Sequence, residues 1–129
     1  MNKKLLVAGS VLGVISIILG AFAAHGLEKA IIKDAIETFQ VGVRYQMYHA
    51  LMLLFVGNTS MIQGKSKTRI FWLVIVGVLL FSGSIYALST NELTRFDFKT
   101  IGFITPIGGL LLILSWIVML LDFLKLKVE

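Results

Sequence analysis

The residues most able to do chemistry are a few polar side chains inside otherwise apolar segments. His49 follows Tyr45 by four residues and Gln46 by three, and these spacings place all three side chains on one face of a helix, where they can hydrogen-bond one another. A polar residue inside a long apolar helix usually faces other helices or a cavity. We therefore expect one buried polar cluster, formed by Tyr45, Gln46, His49, Ser82, Ser84 and Tyr86.

Two roles fit His49. It can form a structural hydrogen bond between helices, which contributes about 1 kcal/mol in a membrane, with Ser82, Ser84 or Tyr86 as its partner. It can also act as a proton relay or ligand site, since an ionisable residue within a span often marks such a path. The sequence leaves both open.

The other candidate residues are interfacial. His25, at the end of the first apolar run, can cap the last carbonyls of a helix or act as a second ligand. Arg44 can extend towards lipid headgroups or pair with Glu37. Trp72 and Trp116 are typical interface or packing residues.

Cofactor and enzyme chemistry find little support in the residue types. Two histidines without cysteine cannot complete the four-ligand zinc site that proteins usually build; a haem held by both histidines is conceivable in a bundle, but no other feature asks for it. The chain has no cysteine, and no nucleophile stands beside a base. We predict no metal, no cofactor and no catalytic residues.

Composition predicts a membrane protein. Of the 129 residues 57% are hydrophobic and 15% charged, and the mean hydropathy is +0.92, whereas charged residues make up about 25% of soluble domains. The net charge of +5 comes from lysines and arginines scattered in short polar gaps, which is typical of membrane flanks and not of a nucleic-acid surface. We expect the lipid bilayer, and no nucleic acid, as partner.

Hydrophobic patterning predicts an all-α, polytopic protein with a single domain over residues 1–129. The centre of the second run, residues 50–57, is fully apolar, and the other three runs are each long enough to cross about 30 Å of hydrocarbon. An amphipathic segment between the first two runs is typical of an interfacial helix. The predicted transmembrane helices cover residues 5–24, 41–62, 70–89 and 101–123, and the amphipathic segment covers 27–40.

Small residues predict where helices approach closely. They recur on helix 1, and a second series with Thr105 occurs on helix 4, so we expect helices 1 and 4 to pack together. A signal peptide is the alternative for helix 1. Pro106 stands near the start of helix 4, where its missing N–H costs little, although it could also break the helix beside a transport path. The packing positions are Gly9, Gly13, Ser16, Gly20, Gly102 and Gly109.

Charge counts predict the orientation. With the N-terminus inside, seven lysines and arginines lie on the inner side and five on the outer side. This bias favours the cell (plasma) membrane with both termini in the cytoplasm.

Several motifs carry a family resemblance across nearly the whole chain. Residues 20–27 read GAFAAHGL, residues 45–51 read YQMYHAL, residues 80–86 read LFSGSIY and residues 104–109 read ITPIGG. In order and spacing they resemble the bacterial membrane family known as domain of unknown function 423, and are similar to animal transmembrane protein 256. Ala23 departs from a glycine frequent in the family motif. The resemblance implies a small multi-pass membrane protein and no particular activity.

Three function classes follow. We favour a non-catalytic structural or accessory protein that acts through helix packing, with itself as a homo-oligomer or with a membrane-protein partner. The alternative is a small transporter or channel with a polar cavity around His49, which the sequence weakens because it shows no membrane-embedded carboxylate to couple protons. A membrane enzyme has the least support.

Overall fold

The computed structural model describes residues 1–91 and 102–127, with the side chain of Glu28 excepted, and in this part the chain is all-helical. A single 3-10 turn, Leu27–Lys29, separates the first two helices. The four helices are α1 (Asn2–His25), α2 (Lys33–Asn58), α3 (Gly64–Ser89) and α4 (Ile104–Leu124).

The amphipathic segment predicted at 27–40 is divided between the 3-10 turn and the start of α2. Phe39 and Val43 pack with Ala23 and Leu27 in one buried cluster. Because these apolar positions continue at helical spacing, the same helix runs on through the predicted second span without a break.

The helix boundaries differ from those predicted. The second helix covers Lys33–Asn58 in place of 41–62, and the third begins at Gly64 in place of residue 70. Polar residues that hydropathy assigned to a loop, such as Ser66 and Lys67, lie in the first turn of α3 and are buried. The fourth helix covers Ile104–Leu124 in place of 101–123.

The expected packing of helix 1 on helix 4 is wrong. α1 packs along α2, α4 packs along α3, and α2 and α3 join the two pairs; in the described part of the chain α1 and α4 form no extended contact. A Cβ added at Gly9 would lie 2.8 Å from the carbonyl oxygen of Ala50, and one at Gly20 would lie 3.4 Å from Val43. The small residues of α1 therefore face α2.

The close approach of α4 is to α3. A Cβ on Gly108 would overlap the backbone nitrogen of Phe81 and lie 2.9 Å from the carbonyl oxygen of Gly77. Gly109 meets only the ring of Phe81, at 3.4 Å, and Gly102 lies in a turn before the helix. Gly108, which the sequence analysis did not single out, is the position that brings the two backbones together.

The outer surface of the helices is apolar. Large side chains are exposed along α1 and α4, among them Ile17, Ile18, Leu110, Ile113 and Leu120, while serines, Gln46 and His49 are buried. Exposed apolar surface of this extent is a liability in water and suits lipid. By length and composition α1, α3 and α4 can each cross a membrane.

Candidate functional site: buried polar contacts between helices

Gln46 joins three helices. Its side-chain Nε2 donates a hydrogen bond to the carbonyl oxygen of Leu12 in α1, at 2.9 Å, and its Oε1 accepts one from the hydroxyl of Tyr86 in α3, at 2.7 Å. The side chain is 3% exposed. The same Leu12 carbonyl also accepts from the hydroxyl of Ser16. Both polar atoms of the amide therefore have a hydrogen-bond partner, and the two bonds hold α2 against α1 and α3.

Ser82 strengthens the contact of α2 with α3. Its hydroxyl donates to the carbonyl oxygen of Gly42 at 2.8 Å. A Cβ on Gly42 would lie 2.7 Å from the ring of Tyr86, so glycine at this position allows the two helices to approach within hydrogen-bonding distance.

Ser84 belongs to a different contact. Its hydroxyl is bonded to the carbonyl oxygen of Phe81 and to the hydroxyl of Thr105 in α4. The six residues predicted as one cluster are therefore divided. Gln46, Ser82 and Tyr86 lie at the contact of α2 with α3, whereas Ser84 lies on the α4 side of α3.

His49 uses both ring nitrogens. The indole Nε1–H of Trp116 donates to Nε2 at 3.0 Å, and Nδ1 lies 2.7 Å from the carbonyl oxygen of Tyr45. Because indole can only donate, Nε2 must accept, and the single ring proton is assigned to Nδ1, which donates to Tyr45. The imidazole is 4% exposed. In this arrangement it is neutral and has no free donor or acceptor.

Two of the sequence assignments around His49 are corrected. Tyr45 contributes its backbone carbonyl; its ring is 42% exposed and packs against Tyr48 and Phe81. Trp116, which the sequence analysis treated as general packing, provides the hydrogen bond that links α2 to α4. No local signal identifies this pair, because 67 residues separate them along the chain.

A groove lies beside His49, between α2, α3 and α4. It has a volume of about 360 Å³ and is lined mainly by apolar and aromatic groups. Gln46 and Tyr86 do not line it, so the polar residues do not share one cavity. The lining residues are Tyr45, His49, Phe81, Gly109, Leu112, Ile113 and Trp116.

A second buried polar network lies where α1 and α3 begin and α2 and α4 end. The ammonium of Lys67 donates to the side chain of Asn2, at 2.8 Å, and to the carbonyl oxygen of Thr59, at 2.6 Å. Thr59 follows the last residue of α2, where a positive charge is favoured by the helix dipole. Lys67 therefore connects three helix ends.

Asp122 completes this network from α4. Its carboxylate accepts the backbone N–H of Gln63, at 2.9 Å, and the hydroxyl of Ser66, at 2.8 Å, and so caps the N-terminus of α3. The residue is buried between the helix ends. Its only sequence signal is an acid in an otherwise apolar final turn.

The predicted interfacial residues are exposed. His25 lies in the last turn of α1, and Arg44 borders a surface groove together with Glu37. Across the described ranges, no group of three or more His, Asp or Glu residues is arranged to hold a metal ion. In the same ranges, every buried side-chain nitrogen or oxygen has a hydrogen-bond partner. These buried contacts can hold the helices together.

Similar proteins are bacterial membrane proteins of about the same length. The chain is 38% identical over 125 residues to the UPF0382 membrane protein YwdK of Bacillus subtilis, covering 95% of this chain and 98% of that protein. It is 35% identical to SH2409 of Staphylococcus haemolyticus, over 95% and 97% of the two chains. A Haemophilus influenzae relative is 36% identical, over 91% and 90%. No solved structure matches significantly.

The family motifs lie within the helices that carry the buried contacts. Residues 19–109 match the model of the family described as protein of unknown function (DUF423), and this range includes Gln46, His49, Ser82 and Tyr86. The relatives that share the full length are named as membrane proteins, in agreement with the apolar outer surface of the helices. The chain therefore belongs to the DUF423 family of membrane proteins.

Proposed function

We propose that this chain is a non-catalytic structural or accessory protein of the cell membrane, which acts through helix packing with a second copy or with a membrane-protein partner. The observation that supports this most is the complete pairing of its buried polar side chains in the described part of the chain. An unpaired polar group in hydrocarbon is costly, and a transport path or catalytic centre needs groups that can exchange partners. Here the polar groups hold helices to one another.

The proposal includes four spans. α2 has 26 residues and is therefore about 39 Å long, which exceeds the about 30 Å of hydrocarbon. Its charged residues, Lys33, Asp34, Glu37 and Arg44, all lie in its first half. The uncharged remainder, residues 45–58, rises about 21 Å, so a complete crossing also includes the turns around Arg44, whose long side chain can extend to the headgroups. Its position between α1 and α3 supports the same depth for all three helices.

A small transporter or channel is the second candidate, and the groove beside His49 is the observation that favours it. A proton transporter that used His49 would have to break the Trp116–His49 bond, because a proton on Nε2 would face the indole N–H. It would also need a polar continuation of the path, whereas Gln46 and Tyr86 lie in a separate contact. Pro106 lies in the first turn of α4, where no intrahelical hydrogen bond is lost. The proline therefore does not interrupt the helix, as the sequence-based alternative of a broken helix 4 would require.

The experiment measures flux and stability in the same samples. The protein and its His49→Gln and His49→Leu variants are reconstituted in liposomes that contain a pH-sensitive dye, and a pH gradient is applied. We expect no proton flux above that of empty liposomes. We also expect His49→Gln to be the milder change in thermal unfolding, since glutamine can still accept a bond from Trp116.

Empty liposomes and heat-unfolded protein serve as controls for leakage. Flux that is present in the original protein and disappears in His49→Gln, with unfolding unchanged, would replace this proposal by the transporter.

A further inference from the structure

A groove between α3 and α4 lies apart from the buried hydrogen bonds at Gln46, His49, Lys67 and Asp122. It has a volume of about 500 Å³, within the about 300–1,000 Å³ typical of ligand sites. It lies in the first half of α3, whereas Tyr86, which contacts Gln46, lies near the end of that helix. It shares no lining residue with the groove at His49. Its lining residues are Thr68, Arg69, Trp72, Leu73, Val76, Leu111 and Val118.

The groove has a long apolar part. From Thr68 to Val76 the helix rises about 12 Å, which is most of the about 15 Å thickness of one hydrocarbon leaflet. Leu73 and Val76 on one side face Leu111 and Val118 on the other. A channel of this length and character accommodates an extended acyl chain.

The mouth of the groove is positively charged. Arg69 lines the groove, and Lys65 precedes it by one helical turn on the same face of α3. Lys125 follows directly on the last residue of α4, seven residues after Val118. All three cationic side chains are exposed. The nearby carboxylate of Asp122 is buried and is bonded to Gln63 and Ser66. Positive charge is therefore presented to the membrane surface at this end.

Trp72 marks the depth of the mouth. It lines the groove three residues after Arg69 and is 56% exposed. Tryptophan is enriched at the level of lipid headgroups. The cationic groups consequently lie at the headgroups, and the apolar part lies in the hydrocarbon.

We propose that this groove binds one anionic glycerophospholipid, with an acyl chain between α3 and α4 and its phosphate beside Arg69 and Lys65. The negative headgroup complements the cationic mouth, and basic sites between transmembrane helices are suited to such lipids. A zwitterionic lipid offers the same acyl chain but carries a positive group that opposes the mouth. The occupant is thus distinguished by charge.

Native mass spectrometry of the purified protein tests the proposal. The protein is titrated in detergent with phosphatidylglycerol or with phosphatidylcholine of identical chains. We expect one phosphatidylglycerol per chain to be retained preferentially. The double variant Lys65→Gln/Arg69→Gln should retain it roughly tenfold less, because two basic contacts are lost.

Two further variants separate charge from groove. Lys29→Gln/Lys33→Gln removes the same charge at the other end of the bundle and should leave retention unchanged. Val76→Trp keeps every charge but fills the apolar part, and it should weaken retention of both lipids. Equal retention of the two lipids by the original protein, or an equal loss in both double variants, would overturn the proposal.

Discussion

At the scale of single residues, the buried polar groups are satisfied by partners that the sequence could only partly predict. His49 and Gln46 attract attention because polar residues are rare in apolar segments. Their partners cannot be identified in this way, because Trp116 lies 67 residues from His49 and the acceptor for Gln46 is the backbone carbonyl of Leu12. A tryptophan in a span is equally compatible with lipid contact, and every residue has a carbonyl.

The His49–Trp116 pair should show energetic coupling. His49→Leu leaves the indole N–H without an acceptor, and Trp116→Phe leaves Nε2 without a donor, so each single change should destabilise the protein. In the double variant both polar groups are absent, so its loss should be smaller than the sum of the two. We expect a coupling energy of about 0.6 kcal/mol and at most about 1.7 kcal/mol, the mean and the largest value found for hydrogen bonds between membrane helices.

The measurement is unfolding in mixed micelles followed by circular dichroism at the helical band, which does not depend on the tryptophan. His49→Gln provides the control, since it removes the imidazole but keeps an acceptor. Additive losses in the double variant would show that the hydrogen bond contributes nothing to stability.

At the scale of helices, apolar runs predict which segments are helical. Small residues predict that a helix makes a close contact, but not which helix it contacts. Gly9 correctly marks a close approach of α1, but the same pattern fits any neighbouring helix, and the assignment to α4 was wrong. Helix ends were missed for a related reason. Lys67 and Ser66 are polar, so hydropathy places them in a loop, whereas their bonds to Asn2 and Asp122 keep them in α3.

Glycine substitutions should separate close contacts from open positions. In α4, Gly108→Ala places a methyl group against the backbone of α3, where neither side can move easily, so we expect a loss of about 1–3 kcal/mol. In α1, Gly9→Ala should also destabilise, because the new methyl group would lie 2.8 Å from the carbonyl oxygen of Ala50. Thermal unfolding in a mild detergent measures both effects.

Matched controls exist in neighbouring positions. A Cβ at Gly83 meets nothing within 4 Å, and one at Gly13 meets only the Cβ of Ala50, at 4.0 Å. Alanine at either position should leave stability unchanged or raise it slightly, since alanine favours the helix. If all four variants unfolded at the same temperature, the close contacts at Gly9 and Gly108 would be unimportant for stability.

At the scale of the whole molecule, composition predicted the lipid environment, and the structure accounts for it. Apolar side chains cover the outside of α1 and α4, and polar side chains join the helices inside. The beginnings of α1 and α3 meet the ends of α2 and α4 through Lys67 and Asp122, so these four helix ends lie together at one end of the bundle. In the proposed four-span topology, the side of the membrane that this end occupies depends on charged residues outside these contacts.

The final prediction places this end of the bundle in the cytoplasm. In the four-span topology, the sequence count assigns seven lysines and arginines to this side and five to the other, and cationic residues near short loops are retained on the inner side. A phosphatase fused after Asn91 should therefore be active outside the membrane, and one fused after Glu129 should be inactive. Replacing both Lys3 and Lys4 by glutamine makes the counts equal at five, and because the first helix usually dominates orientation, this variant should insert in both directions. Phosphatase activity at Glu129 alone in the original protein would reverse the assignment.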